Sequence, residues 1–123
     1  MKSYNKTRSA PVLYASATFY DDAPQKVGSM AGIECYENAF HVVKLNWGAE
    51  EDYERSIDGE VELCWTVTGE GLQFLMQNCN NAKTPDEVVN YLKERFAQHG
   101  KTAHYELLQW LDEKQIPYIY TEF

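Results

Sequence analysis

Alternation of apolar and polar positions dominates the N-terminal half of the chain. From Val12 to Tyr20, Leu13, Ala15, Ala17 and Phe19 fall on one side, and Tyr14, Ser16, Thr18 and Tyr20 on the other. This is the period-two pattern of a strand. Asp21-Asp22-Ala23-Pro24 stops it with residues that favour turns. Ser29–Tyr36 predicts a second strand, less regular because Gly28 and Gly32 lie at its start and inside it, and Phe40–Trp47 a third, carrying Val42, Val43, Leu45 and Trp47. Val61–Val67 alternates most cleanly. Val61, Leu63, Trp65 and Val67 point one way and Glu62, Cys64 and Thr66 the other, which predicts an antiparallel strand with one covered face.

The period then changes. After Thr68, the residues Leu72, Leu75, Met76 and Cys79 recur at helical spacing and form one apolar stripe. Thr84-Pro85-Asp86-Glu87 combines a capping threonine, proline at the first helical position and glutamate three residues after the cap, a strong start signal. The stripe of that second helix is Val88, Val89, Leu92 and Phe96, and Gly100 ends it where a left-handed cap costs glycine least. Thr102 opens a third helix with Ala103, Leu107, Leu108 and Leu111 on its inner side, and Ile116–Phe123 reads as a last strand, with Pro117 favouring an edge. Strands grouped before helices indicate an α+β fold. The expected architecture is an antiparallel sheet of four to five strands, the C-terminal one included, with three helices on one face. Residues 1–10 read as a polar tail and 11–123 as a single domain.

Composition adds charge to this picture. The net charge of −8 is unevenly spread, because Lys2, Lys6 and Arg8 make the first nine residues positive. Residues 50–62 set Glu50, Glu51, Asp52, Glu54, Asp58, Glu60 and Glu62 against Arg55 alone, a net −6. Such a field repels nucleic acid and anionic lipid and attracts basic surfaces. Trp47, Tyr53 and Trp65 lie in or near the segment. On a strand, Glu60 and Glu62 would stand about 6.7 Å apart on one face. That is about two phosphate steps of a DNA strand, so the row suits a groove built for nucleic acid. Carboxylates among aromatics also suit arginines and lysines of a protein partner. The expected partner-binding residues are therefore Trp47, Glu50, Glu51, Asp52, Tyr53, Glu54, Asp58, Glu60 and Glu62, with a basic protein as partner.

Other chemistry finds little support. The three cysteines, Cys35, Cys64 and Cys79, are odd in number and form no CxxC, which argues against a disulfide framework and for a reducing, cytoplasmic setting. Together with His41, His99 and His104 they match no zinc spacing, so no metal and no cofactor is expected. Cys79 falls on a helix stripe and His104 in a first helical turn, both ordinary packing positions. His41 and Cys64 can meet across neighbouring strands as a base and a thiol, but Glu62 beside Cys64 disfavours the thiolate. Gly69-Glu70-Gly71 has Phe74 where a third phosphate-loop glycine would stand. No basic, aromatic-interleaved patch predicts direct nucleic-acid binding, and no apolar run reaches membrane-spanning length.

Tyr14, Tyr20, Tyr118 and Tyr120 mark the outer sides of the first and last strands, and tyrosine suits interfaces. These features predict a non-catalytic, acidic protein-binding domain, a stoichiometric inhibitor or adaptor. In size, acidity and lack of catalytic motifs the chain resembles, as a class, the small inhibitor proteins of phages and mobile elements, anti-CRISPR proteins among them, and toxin immunity proteins. Two alternatives remain open: a small enzyme or ligand-binding domain with a pocket between sheet and helices, and a homodimer or structural subunit joined through the tyrosine-rich sheet edge.

Overall fold

The computed structural model describes residues 14–123. The chain runs through β1 (Tyr14–Asp21), β2 (Gly28–Tyr36), β3 (Ala39–Trp47), α1 (Glu50–Arg55), β4 (Glu60–Thr68), α2 (Gly69–Asn78), α3 (Pro85–Phe96), a 3₁₀ turn (Ala97–Thr102), α4 (Ala103–Glu113) and β5 (Ile119–Glu122). The strands form one antiparallel sheet in chain order, β1-β2-β3-β4-β5. The α+β class, the sheet and the three longer helices are those the hydrophobic pattern predicts. The predicted residues Val12 and Leu13 and the basic positions Lys2, Lys6 and Arg8 lie outside the described residues.

The period-two pattern decides which side chains meet the helices. Phe19, Ile33, Cys35, Phe40, Val42 and Val67 from the sheet pack with Leu72, Leu75, Val88, Val89, Leu92, Phe96, Leu107 and Leu111 from α2, α3 and α4 in one buried core. Thr84 Oγ1 accepts the Glu87 amide at 3.2 Å, and Glu87 reaches back to the Lys83 amide at 2.7 Å. Two orphan amides at the start of α3 are thereby satisfied, with the glutamate bonding one residue before the cap itself. Gly100 has φ +57 and breaks the path between α3 and α4, so the left-handed glycine serves a corner. β5 is shorter than the alternation suggests, starting two residues after Pro117, and it pairs with β4 along Leu63–Thr66.

Cross-strand registers define the second face. One row runs Ser16, Glu34, His41, Thr66, Ile119, and the next Thr18, Gly32, Val43, Cys64, Thr121. The clean alternation of β4 predicts one covered face, but Glu62 and Cys64 on this second face are buried as well. β4 is an interior strand between β3 and β5, and its second-face residues stand beside the buried His41, Val43 and Leu45 of β3. No helix among the described residues is long and apolar enough to cross a membrane.

Candidate functional site

The acidic segment folds as a six-residue helix and a turn. Gly48 and Gly59 close the loop through a 3.0 Å backbone hydrogen bond, so the segment projects from the β3–β4 end of the sheet. α1 has no apolar stripe to announce it. Its start is held by Asp52, whose Oδ2 accepts the Ala49 amide at 3.1 Å, and this inward role leaves Asp52 only 4% exposed. Glu50, Glu51 and Glu54 are exposed. Tyr53 is 58% exposed, its ring lying over Gly59, where a Cβ would meet ring carbons at 2.6 Å.

The remaining acidic residues differ among themselves. Asp58 is exposed, but its Oδ1 accepts Ser56 Oγ at 2.6 Å and the Glu60 amide at 3.0 Å, bracing the turn. Glu60 is half-buried opposite Trp47 in the ladder. Glu62 is 1% exposed on the second sheet face. Trp47 is half-buried and donates its indole N–H to the Gln25 carbonyl at 2.8 Å. Of the nine residues predicted for the surface, Asp52 and Glu62 thus turn inward, because one caps a helix and the other follows the pleat of an interior strand. Sequence reasoning passes over Ile57 at the tip of the turn. Its side chain is fully exposed, at 101% of its reference area. A β-branched residue between Ser56 and Asp58 in a polar turn is the signal that marks it. Arg55, at the end of α1, pairs with Glu122 of β5, so the cation within the segment turns toward the sheet edge.

His41 and Cys64 do meet. Val43 is the ladder partner of Cys64, and His41 that of Thr66. This diagonal brings Cys64 Sγ to 3.4 Å from His41 Nδ1, while Thr66 Oγ1 lies 2.8 Å from the same nitrogen. The buried thiol and imidazole and the half-buried hydroxyl form one polar cluster. One ring nitrogen thus serves two partners, and the nearer is the hydroxyl. Glu34, on the same face, accepts the Tyr36 hydroxyl at 3.0 Å, and burial holds its carboxyl above the usual range. A cleft of about 100 Å³ on this face is lined by Thr18, Met30, Gly32, Glu34, Val43 and Glu62 among others.

Two further hollows lie elsewhere. A groove of about 370 Å³ between the ends of α3 and α4 has Arg95, His99, Glu106 and Glu113 on its walls. A second, of about 300 Å³, lies beside Cys35, Lys83 and Pro85. Among the described residues, no three of His, Cys, Asp and Glu gather where a metal would bind. Cys35 and Cys79 are buried in the core, and desolvation pushes both thiols up to about 12. Of the four tyrosines predicted outside, Tyr14 has a side chain that lies outside the described set, and Tyr20 and Tyr118 are half-buried. Tyr20 bonds Ser29 Oγ at 2.7 Å and Tyr118 donates to Asp112 at 2.9 Å, while Tyr120 stays exposed and donates to Glu122 at 2.9 Å. Compared with family models, curated proteins and solved structures, the chain matches none.

Proposed function

We propose that this chain is a non-catalytic binding domain, an inhibitor or adaptor, which presents α1 and the Ile57 turn to a basic surface of a protein partner. One observation carries the reading. Ile57 and Tyr53, two apolar groups that folding leaves open to water, sit among the exposed carboxylates of Glu50, Glu51 and Glu54. Apolar and aromatic anchors ringed by charge are the anatomy of a hot spot. The carboxylates would steer and register a partner's Lys and Arg side chains, and Ile57 would supply the desolvated centre.

The test compares retention of a host protein by the native chain, by a Glu50→Lys, Glu51→Lys, Glu54→Lys variant and by Ile57→Asp. A partner held by the native chain should be lost from both variants. Its affinity should also fall between about 0.1 and 0.5 M salt, as screening shortens. Reversing the three carboxylates around Ile57 should weaken binding by about 2–4 kcal/mol. Equal retention by all three proteins rejects the proposal.

A second reading, a small enzyme, draws on the Cys64–His41 contact. It places the chemistry on the second sheet face, away from the interval between sheet and helices. Burial of the thiol and the hydroxyl's claim on Nδ1 weigh against an activated nucleophile, and the thiol labelling described below decides the matter.

A further inference from the structure

His104 stands in the first turn of α4 and is completely buried, at 0% exposure. Neither of its ring nitrogens has a hydrogen-bond partner. Buried polar groups are nearly always paired, so a histidine at this position calls for a reason that a leucine would not. The ring lies tilted against Tyr105 with centroids 4.0 Å apart, and it lies 6.4 Å from the rings of both Tyr20 on β1 and Trp65 on β4. Two cations face this corner. Lys44 of β3 sits 5.4 Å over the Tyr105 ring, and Lys101 of the 3₁₀ turn sits 5.9 Å over the Tyr20 ring. Tyr20, Lys44, Tyr105 and the Lys101–Asp22 ion pair at 3.1 Å are thus the titratable groups around it, with Trp65 closing the side toward β4.

We propose that His104 makes the seating of α4 on the sheet acid-labile, so that taking up a proton releases the Ala97–Leu107 corner from β1, β3 and β4. A protonated ring in this place would be a buried cation with two N–H donors, no acceptor in reach and the Lys44 ammonium acting against it. Such a group stays neutral or moves to water. The ring cannot leave alone, because Ala103 and Leu107 on the same turns are as deeply buried. The corner, however, is built to move as a unit. The 3₁₀ turn contains no buried residue, Thr102 makes no side-chain cap, and Gly100 at its centre has φ +57 with nothing within 4 Å of a Cβ position. A glycine joint in open space absorbs a change of backbone angles at little cost.

Burial, with Lys44 adding to it, holds the pKa of His104 down to about 4. The folded pKa is below the unfolded one, so this group's contribution is complete above the ordinary histidine value and is lost as pH falls from there toward 4. A difference of about 2.5 units corresponds to a change of about 300-fold in the opening equilibrium once the pH is well below 4, of which about 70-fold is reached by pH 4.5. Two other groups act outside this signature. Asp22, lowered first by its bond from Lys101, loses its contribution below its ordinary value of 3.8. Glu34, raised by burial, favours the folded state as it protonates, the opposite sign.

The test uses the full chain with exposed His99 changed to Gln in every sample, which leaves His104 as the one histidine of the corner. Amide protection factors for residues 97–107 are measured between pH 7.5 and 4.5, relative to those of β4, and the His104 ring is followed by nuclear magnetic resonance. Protection of the corner should fall by about 70-fold relative to β4 over that range, and His104→Phe should abolish that dependence. Should His104→Phe fail to fold, His104→Leu takes its place, and the ring titration of the native residue stands without either variant. The proposal is overturned if the apolar variant keeps the same pH profile. It is equally overturned if the ring titrates near 6.5 with the corner still protected.

Discussion

Gly32 lies inside β2, opposite Thr18 of β1 and Val43 of β3, and its replacement by alanine tests the sheet's closest approach. In most strands alanine would be the better residue, because glycine costs about 0.5–1 kcal/mol of backbone entropy. Here a Cβ would stand 2.5 Å from the Ala17 carbonyl oxygen and 3.2 Å from Thr18 Cα. Both neighbours are backbone atoms, so no side chain can swing aside. Relief requires β1 to move out by nearly 1 Å, which stretches ladder hydrogen bonds beyond about 3.2 Å. Losing two of them costs about 2 kcal/mol, and overpacking adds about 1–3 kcal/mol. The entropy gain offsets less than half of that, leaving a net destabilisation of about 2–4 kcal/mol. With a urea slope of about 1.5 kcal/mol per M, the midpoint of unfolding should drop by about 1.5–2.5 M. The strand register shifts between Thr18 and Tyr20, just beyond the contact, so β1 amides should lose protection before those of β3. A Gly32→Ala midpoint at or above the native value would show that entropy wins and refute the argument.

Two further outcomes are expected. Thr84→Ala removes the acceptor for the Glu87 amide and should cost about 1 kcal/mol in the same urea experiment, with no change in slope. In native buffer at pH 8, Cys35, Cys64 and Cys79, all buried, should resist an aromatic disulfide reagent, and all three should react once the chain is unfolded. Rapid labelling of Cys64 in the folded protein would instead favour the enzyme reading.

Most of the fold is legible because the signals are local. The alternation of Val61–Val67 and the stripes of α2, α3 and α4 each need only a few neighbouring residues, and the Thr84–Glu87 cap is read from four. What escapes depends on contacts distant in the chain. α1 carries no stripe, and its first turn depends on Asp52 bonding back to Ala49, a side-chain choice that the run Glu50-Glu51-Asp52 does not advertise. The His41–Cys64 contact needs the exact β3–β4 register, since a slip of one residue would send the two side chains to opposite faces. His104 looks like ordinary packing in the sequence. Only the arrival of Lys44, Tyr20 and Trp65 from three strands shows a ring with no partner.

The inward turn of Glu62 changes what kind of surface the acidic segment makes. A row of carboxylates along β4 would copy the spacing of phosphates only if successive members faced outward together. Glu62 is almost inaccessible, Glu60 is half-buried, Asp58 is engaged in its own turn, and Asp52 holds the start of α1. Thirteen residues with a net −6 therefore offer three unengaged, exposed carboxylates, all on one short helix beside Tyr53 and Ile57. A groove shaped for a nucleic-acid backbone rewards an extended line of charge and gains nothing from an isoleucine at the tip. A shallow apolar socket rimmed by a few arginines or lysines gains from both. The partner proposed above is accordingly of the second kind, and its salt dependence should reflect about three contacts, well short of the seven carboxylates counted along the chain.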